Sequence, residues 1–224
     1  MSTKTRIPPT RPSGTPLSRS HRVVKTDNRG HENVIPPNLR NVLLDLDETL
    51  ISAVEISTLK KDPAKMTEFH TRSKAFQVHK MDEDYYIVER PGVQAFLDFL
   101  FRHYNVSVWT AASKDYAIFV LRQVILKPGR KLDYFMFSEN CDASYERTGC
   151  LKQLNQLFHL PRYNPGNTMI VDDNQNVRER QSNPVWSIKA FRFFRKESEQ
   201  DPHLVHLHER LQKKVAEQKL SASR

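Results

Sequence analysis

Asp45-Leu46-Asp47-Glu48-Thr49-Leu50 sets two carboxylates two residues apart, directly after the short apolar run Asn41-Val42-Leu43-Leu44. In extended chain, side chains two apart point to the same side, so both acids can face one substrate. A carboxylate beside a divalent cation can attack phosphorus, and the acyl-phosphate it forms divides one difficult displacement into two easier ones. Asp45 is the expected nucleophile. Asp47 is the expected general acid and base, protonating the leaving oxygen and later accepting a proton from water, a task that wants a raised pKa.

Phosphoryl transfer concentrates charge on peripheral oxygens, which calls for hydroxyl and cationic donors around them. Thr110 and Lys152 are the candidates. Mg²⁺ takes oxygen ligands, commonly one or two carboxylates with substrate phosphate. Asp172 and Asp173 can supply one ligand beside Asp45, the backbone carbonyl of Asp47 can supply another, and whichever of the twin acids is not on the metal can hold the Lys152 ammonium. The plain alternatives are acids capping strand ends, a Thr110 hydroxyl bonding its own loop, a solvated Lys152 on a helix, and a turn at Asp172-Asp173-Asn174.

These residues need elements that bring them together. Residues 41–45, 106–109, 134–137, 168–171 and 185–188 read as strands, short apolar runs of the kind found buried in a parallel sheet. Between them, Val93, Phe96, Leu97 and Leu100 follow helical spacing after Pro91-Gly92, with Pro at the first helical position. Tyr116, Phe119, Val120 and Val124 mark another helix capped by Ser113, and Leu151, Leu154, Leu157 and Phe158 mark a third. Strands alternating with helices predict an α/β domain with a mostly parallel sheet and helices on both faces, whose ligands gather at the C-terminal strand edge. Residues 51–90 read as a β insertion near the site, polar and mixed over 51–74 and a hairpin around Met81-Asp82-Glu83-Asp84.

The motifs in order resemble the haloacid-dehalogenase superfamily, and within it the small phosphatases that act on the C-terminal domain of RNA polymerase II. Asp45 to Leu50 matches the first family motif, and Trp109-Thr110-Ala111-Ala112-Ser113 with Tyr116-Ala117 matches the second. Lys152 with Leu154 resembles the third, Ile170-Val171-Asp172-Asp173-Asn174 the fourth, and Arg90-Pro91-Gly92-Val93 the segment before the first long helix. The resemblance covers roughly residues 41–194, a usual domain size. It implies a Rossmann-like domain, Mg²⁺, and a phosphoserine or phosphothreonine peptide as substrate, with the insertion shaping the groove. Where those phosphatases carry an Arg before the third motif, this chain reads Phe137-Ser138-Glu139-Asn140-Cys141. The insertion is also longer and more charged, so the family's peptide preference does not carry over.

Of 224 residues, 38% are hydrophobic, a low fraction that places part of the length outside the core. Residues 1–40 hold eight Lys or Arg against Asp27 and Glu32, most of the chain's net charge of +9. Rich in Pro, Ser and Thr, they read as a disordered basic arm; a solvated tail is favoured over contact with nucleic acid, an acidic partner or a membrane surface, since the charges are scattered and no aromatic residue interleaves them. Residues 195–224 read as a closing helix, with Leu204, Leu207, Leu211 and Val215 on one stripe, and a tail. His203, His206 and His208 beside that stripe lack the acidic or Cys partners of a metal site. Cys141 and Cys150 read as reduced structural thiols. With no apolar stretch of membrane-spanning length and no signal-peptide core, a soluble intracellular protein, nuclear or cytoplasmic, is expected. Two other functions compete with a protein phosphatase: hydrolysis of nucleic-acid ends or small phosphoesters, and a binding scaffold with a dead site, against which the intact Asp45 and Asp47 argue.

Overall fold

The computed structural model describes residues 32–222. Most of the basic arm and the last two residues lie outside the described part.

The central sheet is built from β1 (Asn41–Leu44), β5 (Asn105–Trp109), β6 (Phe135–Met136), β7 (Thr168–Asp172) and β8 (Val185–Ser187), all parallel, in the order β6-β5-β1-β7-β8. Its strands are buried on both sides, and their alternation sorts residues between two cores. Val42, Leu44, Val106, Val108, Met169 and Val171 face one side. There they meet α3 (Val93–His103), α4 (Lys114–Val120) with its π-helical extension over Leu121–Ile125, and α7 (His203–Ala222). Leu43, Trp109 and Ile170 face the other, against α5 (Ser138–Thr148), α6 (Gln175–Arg180) and the turn at Leu154–Leu157. The expected α/β sandwich is therefore the observed one.

In β1, Leu44 lies opposite Val108 on one neighbour and Val171 on the other. One residue later, all three central strands end together at Asp45, Trp109–Thr110 and Asp172. Parallel register thus does what no local propensity could: it gathers side chains 62 and more positions apart along one edge.

Between β1 and α3 the chain forms a second sheet, β2 (Ile51–Glu55), β3 (Val78–Met81) and β4 (Tyr85–Glu89), antiparallel in the order β2-β4-β3. The hairpin agrees with expectation. The stretch expected to be merely polar and mixed instead holds a strand and two helices, α1 (Ile56–Lys61) and α2 (Pro63–Arg72). Asp62 caps α2, accepting from the Ala64 and Lys65 amides at 3.1 Å, with Pro63 at the first position. A small core of Val54, Leu59, Phe69, Val88 and Phe193 binds this layer together.

Other local expectations are corrected. Pro91 lies outside its helix, whose N-cap is Gly92 at φ 79°, a backbone region glycine occupies without strain. Ser113 occupies the N-cap position of α4, but its side chain makes no capping bond. Leu154–Leu157 is a single 3₁₀ turn, because Pro161 and Pro165 soon follow and only Leu154 and Leu157 are buried. Residues 32–40, grouped with the arm from their composition, pack on the sheet: Asn33 donates to the Val185 carbonyl at 2.8 Å, and Leu39 is buried.

The closing helix packs as its stripe required, with Leu204, Leu207 and Leu211 fully buried in the main core. Leu207→Ala should therefore cost about 2–5 kcal/mol in denaturant unfolding. Glu209→Ala, on the exposed side of the same helix, should stay within about 0.5 kcal/mol.

Candidate active site

The C-terminal edge of the sheet opens into a cleft of about 550 Å³. Asp45, Asp47, Thr110, Lys152 and Asp173 all line it, with Ala53 and Tyr85 from the insertion forming part of the wall.

At its floor lies a buried cation between two buried acids. Lys152 is 2% exposed, and its ammonium donates to Asp45 Oδ1 at 2.5 Å and Asp172 Oδ2 at 2.7 Å. It stands on a turn, not on the helix expected for it. α5 ends at Gly149, whose φ of 71° reverses the chain, and Ser144 accepts from the Gln153 amide and donates to the Cys150 carbonyl. Gln181 donates to the Lys152 carbonyl at 2.7 Å, so the backbone from which the side chain projects is clamped. Burial alone would lower the Lys152 pKa, but the Asp172 and Asp45 charges raise it well above the ordinary lysine range. Burial pushes Asp172 above its ordinary value, against the pull of Lys152.

The twin acids sit in different surroundings. Both Asp172 oxygens are committed, Oδ2 to Lys152 and Oδ1 to the Asn174 amide at 2.8 Å. Asp173 is half-buried and lines the cleft. Among the described residues one group of three metal-capable side chains comes together, Asp45, Asp172 and Asp173, with ligand oxygens within 4.8 Å of one another. An all-oxygen acidic set of this kind fits a hard divalent cation. The side chain of Asp47 stands outside the group. The α7 histidines form no such group.

Thr49, quoted in the first motif without a role, ties the two acid-bearing loops together. Its hydroxyl donates to Asp45 Oδ2 at 3.2 Å and accepts from the Asp173 amide at 3.1 Å. The spacing was the available signal, since Thr49 follows Asp45 by four residues on one tight loop. That loop turns through Glu48 at φ 59°, a region non-glycine residues seldom occupy. Bonds from the Glu48 amide to the Ile51 carbonyl and from the Phe191 amide to the Glu48 carbonyl hold it there.

Asp47 sits half-buried in the cleft wall, with Tyr116 donating to its Oδ1 at 2.6 Å. Burial raises its pKa to about 6, opposed by the Tyr116 hydrogen bond and reinforced by the Asp45 charge. Burial, then the Asp47 charge, pushes Tyr116 well above the usual phenol range, so it remains a donor. The sequence displayed Tyr116 on an apolar helical stripe and in the second family motif, without a role for its hydroxyl. Thr110 is buried and accepts from the Ala112 amide at 3.1 Å, the local bond foreseen as its plain alternative, while still lining the cleft. Cys141 also lines it; it and Cys150 are buried free thiols, pushed up to about 12 and about 11 by burial.

An α/β sheet with acids at the ends of β1 and β7 and a lysine between them is the architecture of the haloacid-dehalogenase superfamily. The chain belongs to the NLI interacting factor-like phosphatase family, whose profile matches residues 40–222. It is 37% identical over 177 residues to the CTD phosphatase-like protein 355R of Invertebrate iridescent virus 6, covering 75% of this chain and 95% of that protein. The protein of the same description from Invertebrate iridescent virus 3 is 35% identical over 179 residues, covering 76% and 94%. Among solved structures, Fcp1, an essential RNA polymerase II CTD phosphatase, shares the fold with a TM-score of 0.50 and 22% identity, over 82% of this chain and 50% of that one. This chain thus spans about half the length of that structure. By family it is a phosphatase, a phosphoric monoester hydrolase. No helix among the described residues is long and apolar enough to cross a membrane.

Removing one member of a buried ion group leaves the others uncompensated. Lys152→Met should lower the stability of the metal-free protein by about 3–5 kcal/mol in denaturant unfolding; unchanged stability would show that Asp45 and Asp172 do not need the ammonium.

Proposed function

We propose that the chain is a Mg²⁺-dependent protein phosphatase that hydrolyses phosphoserine or phosphothreonine through an aspartyl-phosphate at Asp45. The observation that carries this is the pairing of two differently treated carboxylates in one cleft. Asp45 is tied by Lys152 and Thr49 at the floor, and Asp47 is raised to about 6 in the wall. A carboxylate fixed by hydrogen bonds beside one raised toward neutrality suits a nucleophile and a proton carrier.

Asp45 attacks phosphorus as the ester P–O bond breaks, and Asp47 gives its proton to the departing seryl or threonyl oxygen. Water then attacks the phosphorus of the acyl-phosphate, Asp47 takes its proton, and the bond to Asp45 breaks to release phosphate. Tyr116 holds Asp47 in position for both transfers. Thr110, with its oxygen accepting from Ala112, has its proton left to donate to a phosphoryl oxygen, and Lys152 contributes fixed positive charge beside it. Asp45, Asp173 and the Asp47 carbonyl would hold Mg²⁺, while Asp172 keeps Lys152 in place. When bound, the ion supplies charge neutralisation of the phosphoryl oxygens. The RNA polymerase II tail is a candidate substrate by analogy with the relatives, and a soluble nuclear or cytoplasmic setting follows the same reading.

Turnover of an aryl phosphate and of a phosphoserine peptide should require Mg²⁺ and stop with a chelator. Asp45→Asn should abolish both activities; turnover surviving that change would defeat the assignment. Asp47→Asn should cost about 10²–10⁴-fold in kcat on the peptide, whose alkoxide leaves poorly. The loss should be smaller on an aryl phosphate, whose leaving group needs less protonation. Preference for a 3′-phosphorylated oligonucleotide over the peptide would replace the protein substrate with a nucleic-acid end.

A further inference from the structure

Beyond the phosphate-binding floor, the cleft is bordered by one face of α5. Ser138, Cys141 and Asp142 line it at spacings of three and four, which place side chains on one side of a helix. The Asp142 side chain is exposed, and no hydrogen bond or ion pair engages it among the described residues. One turn further along the same face, Tyr145 is 52% exposed.

The charge facing an incoming chain here is negative. Among the described residues Lys152 is the sole cation lining the cleft, and Asp45 and Asp172 already occupy it. Lys114, at the start of α4, holds its ammonium over the Phe137 ring at 5.6 Å and does not line the cleft. The stretch Phe137-Ser138-Glu139-Asn140-Cys141 brings no cation either. A carboxylate without a partner, followed by an exposed aromatic ring, suits a guanidinium or ammonium group, by charge-assisted hydrogen bonding to the first and cation–π contact with the second.

We infer that Asp142 is a specificity-determining residue that selects phosphopeptides carrying Arg or Lys close to the phosphorylated residue. This rests on the phosphatase reading above and adds to it the class of peptide. Phosphate enters toward the metal-binding acids, while the neighbouring basic side chain lies along α5 against Asp142. The ion pair is solvent-facing, so its effect should be modest and should weaken as salt rises.

The test compares phosphoserine peptides identical except for one Lys, Ala or Glu, moved from three residues before to three residues after the phosphoserine. The readout is the ratio of kcat/KM values within each protein variant, which cancels any loss common to all substrates. In the wild type at low salt, Lys at the favoured position should exceed Ala by about 5-fold, and Glu should fall below Ala. Asp142→Asn should bring the Lys-to-Ala ratio to about one, Asp142→Glu should retain the preference, and Asp142→Lys should reverse it toward Glu. A wild type indifferent to charge at every position, or a Lys preference that persists in Asp142→Asn, would overturn the inference while leaving the phosphatase reading intact. An aryl phosphate measured alongside separates the two: no Mg²⁺-dependent turnover of it would refute the phosphatase reading, and this inference with it.

Discussion

A lysine ammonium buried between two aspartates is the interaction around which the rest of the molecule is arranged. Lys152 and Asp172 are almost wholly withdrawn from water and Asp45 nearly so, and a charge in that position is tolerated only when its partners are fixed. Each partner is fixed by a different part of the fold. Asp45 follows β1 and Asp172 ends β7, adjacent parallel strands in register. Lys152 arrives on a reversal enforced by Gly149 and clamped by Ser144 and Gln181. Two sheet strands and one turn, far apart in sequence, therefore meet within hydrogen-bond distance.

A second layer of constraint holds the loop that bears Asp45 and Asp47. Arg90, at the end of the insertion, is buried and donates to the Thr49 carbonyl at 2.9 Å and the Lys189 carbonyl at 2.8 Å while pairing with Asp201. Asp201 in turn accepts from the His203 amide at the start of α7. One guanidinium thus joins the loop bearing the two acids to the inserted sheet and the closing helix. It also explains why a segment beyond the central sheet belongs to the working unit: the loop carrying a strained Glu48 needs support from both sides.

The fold and the floor of the site were legible because parallel strands are buried on both faces and so appear as short apolar runs, and because several such runs in order end at residues with matching chemistry. The less legible parts are those whose signals are not hydrophobic. In α2 only Phe69 is buried, so its apolar period is faint, although Asp62-Pro63 was a readable cap. In α5 only Cys141 and Ser144 are buried, so Ser138–Thr148 shows no apolar stripe, yet that helix presents Asp142 to the cleft. Tyr116 looked like a core residue because most of it is one; its hydroxyl reaches Asp47 only once β1 and α4 are assembled. Lys152 was identified by type and order, but the turn that aims it depends on partners at 144 and 181 that no local pattern connects.

The most direct measurement is chemical trapping of the acyl-phosphate during turnover. Rapid acid quench followed by borohydride reduction converts a phosphorylated aspartate to homoserine, which peptide mass spectrometry locates by residue. A covalent mechanism at Asp45 requires homoserine at position 45, dependent on both substrate and Mg²⁺. Steady turnover with residue 45 unmodified, or with the reduced residue elsewhere in the chain, would contradict it.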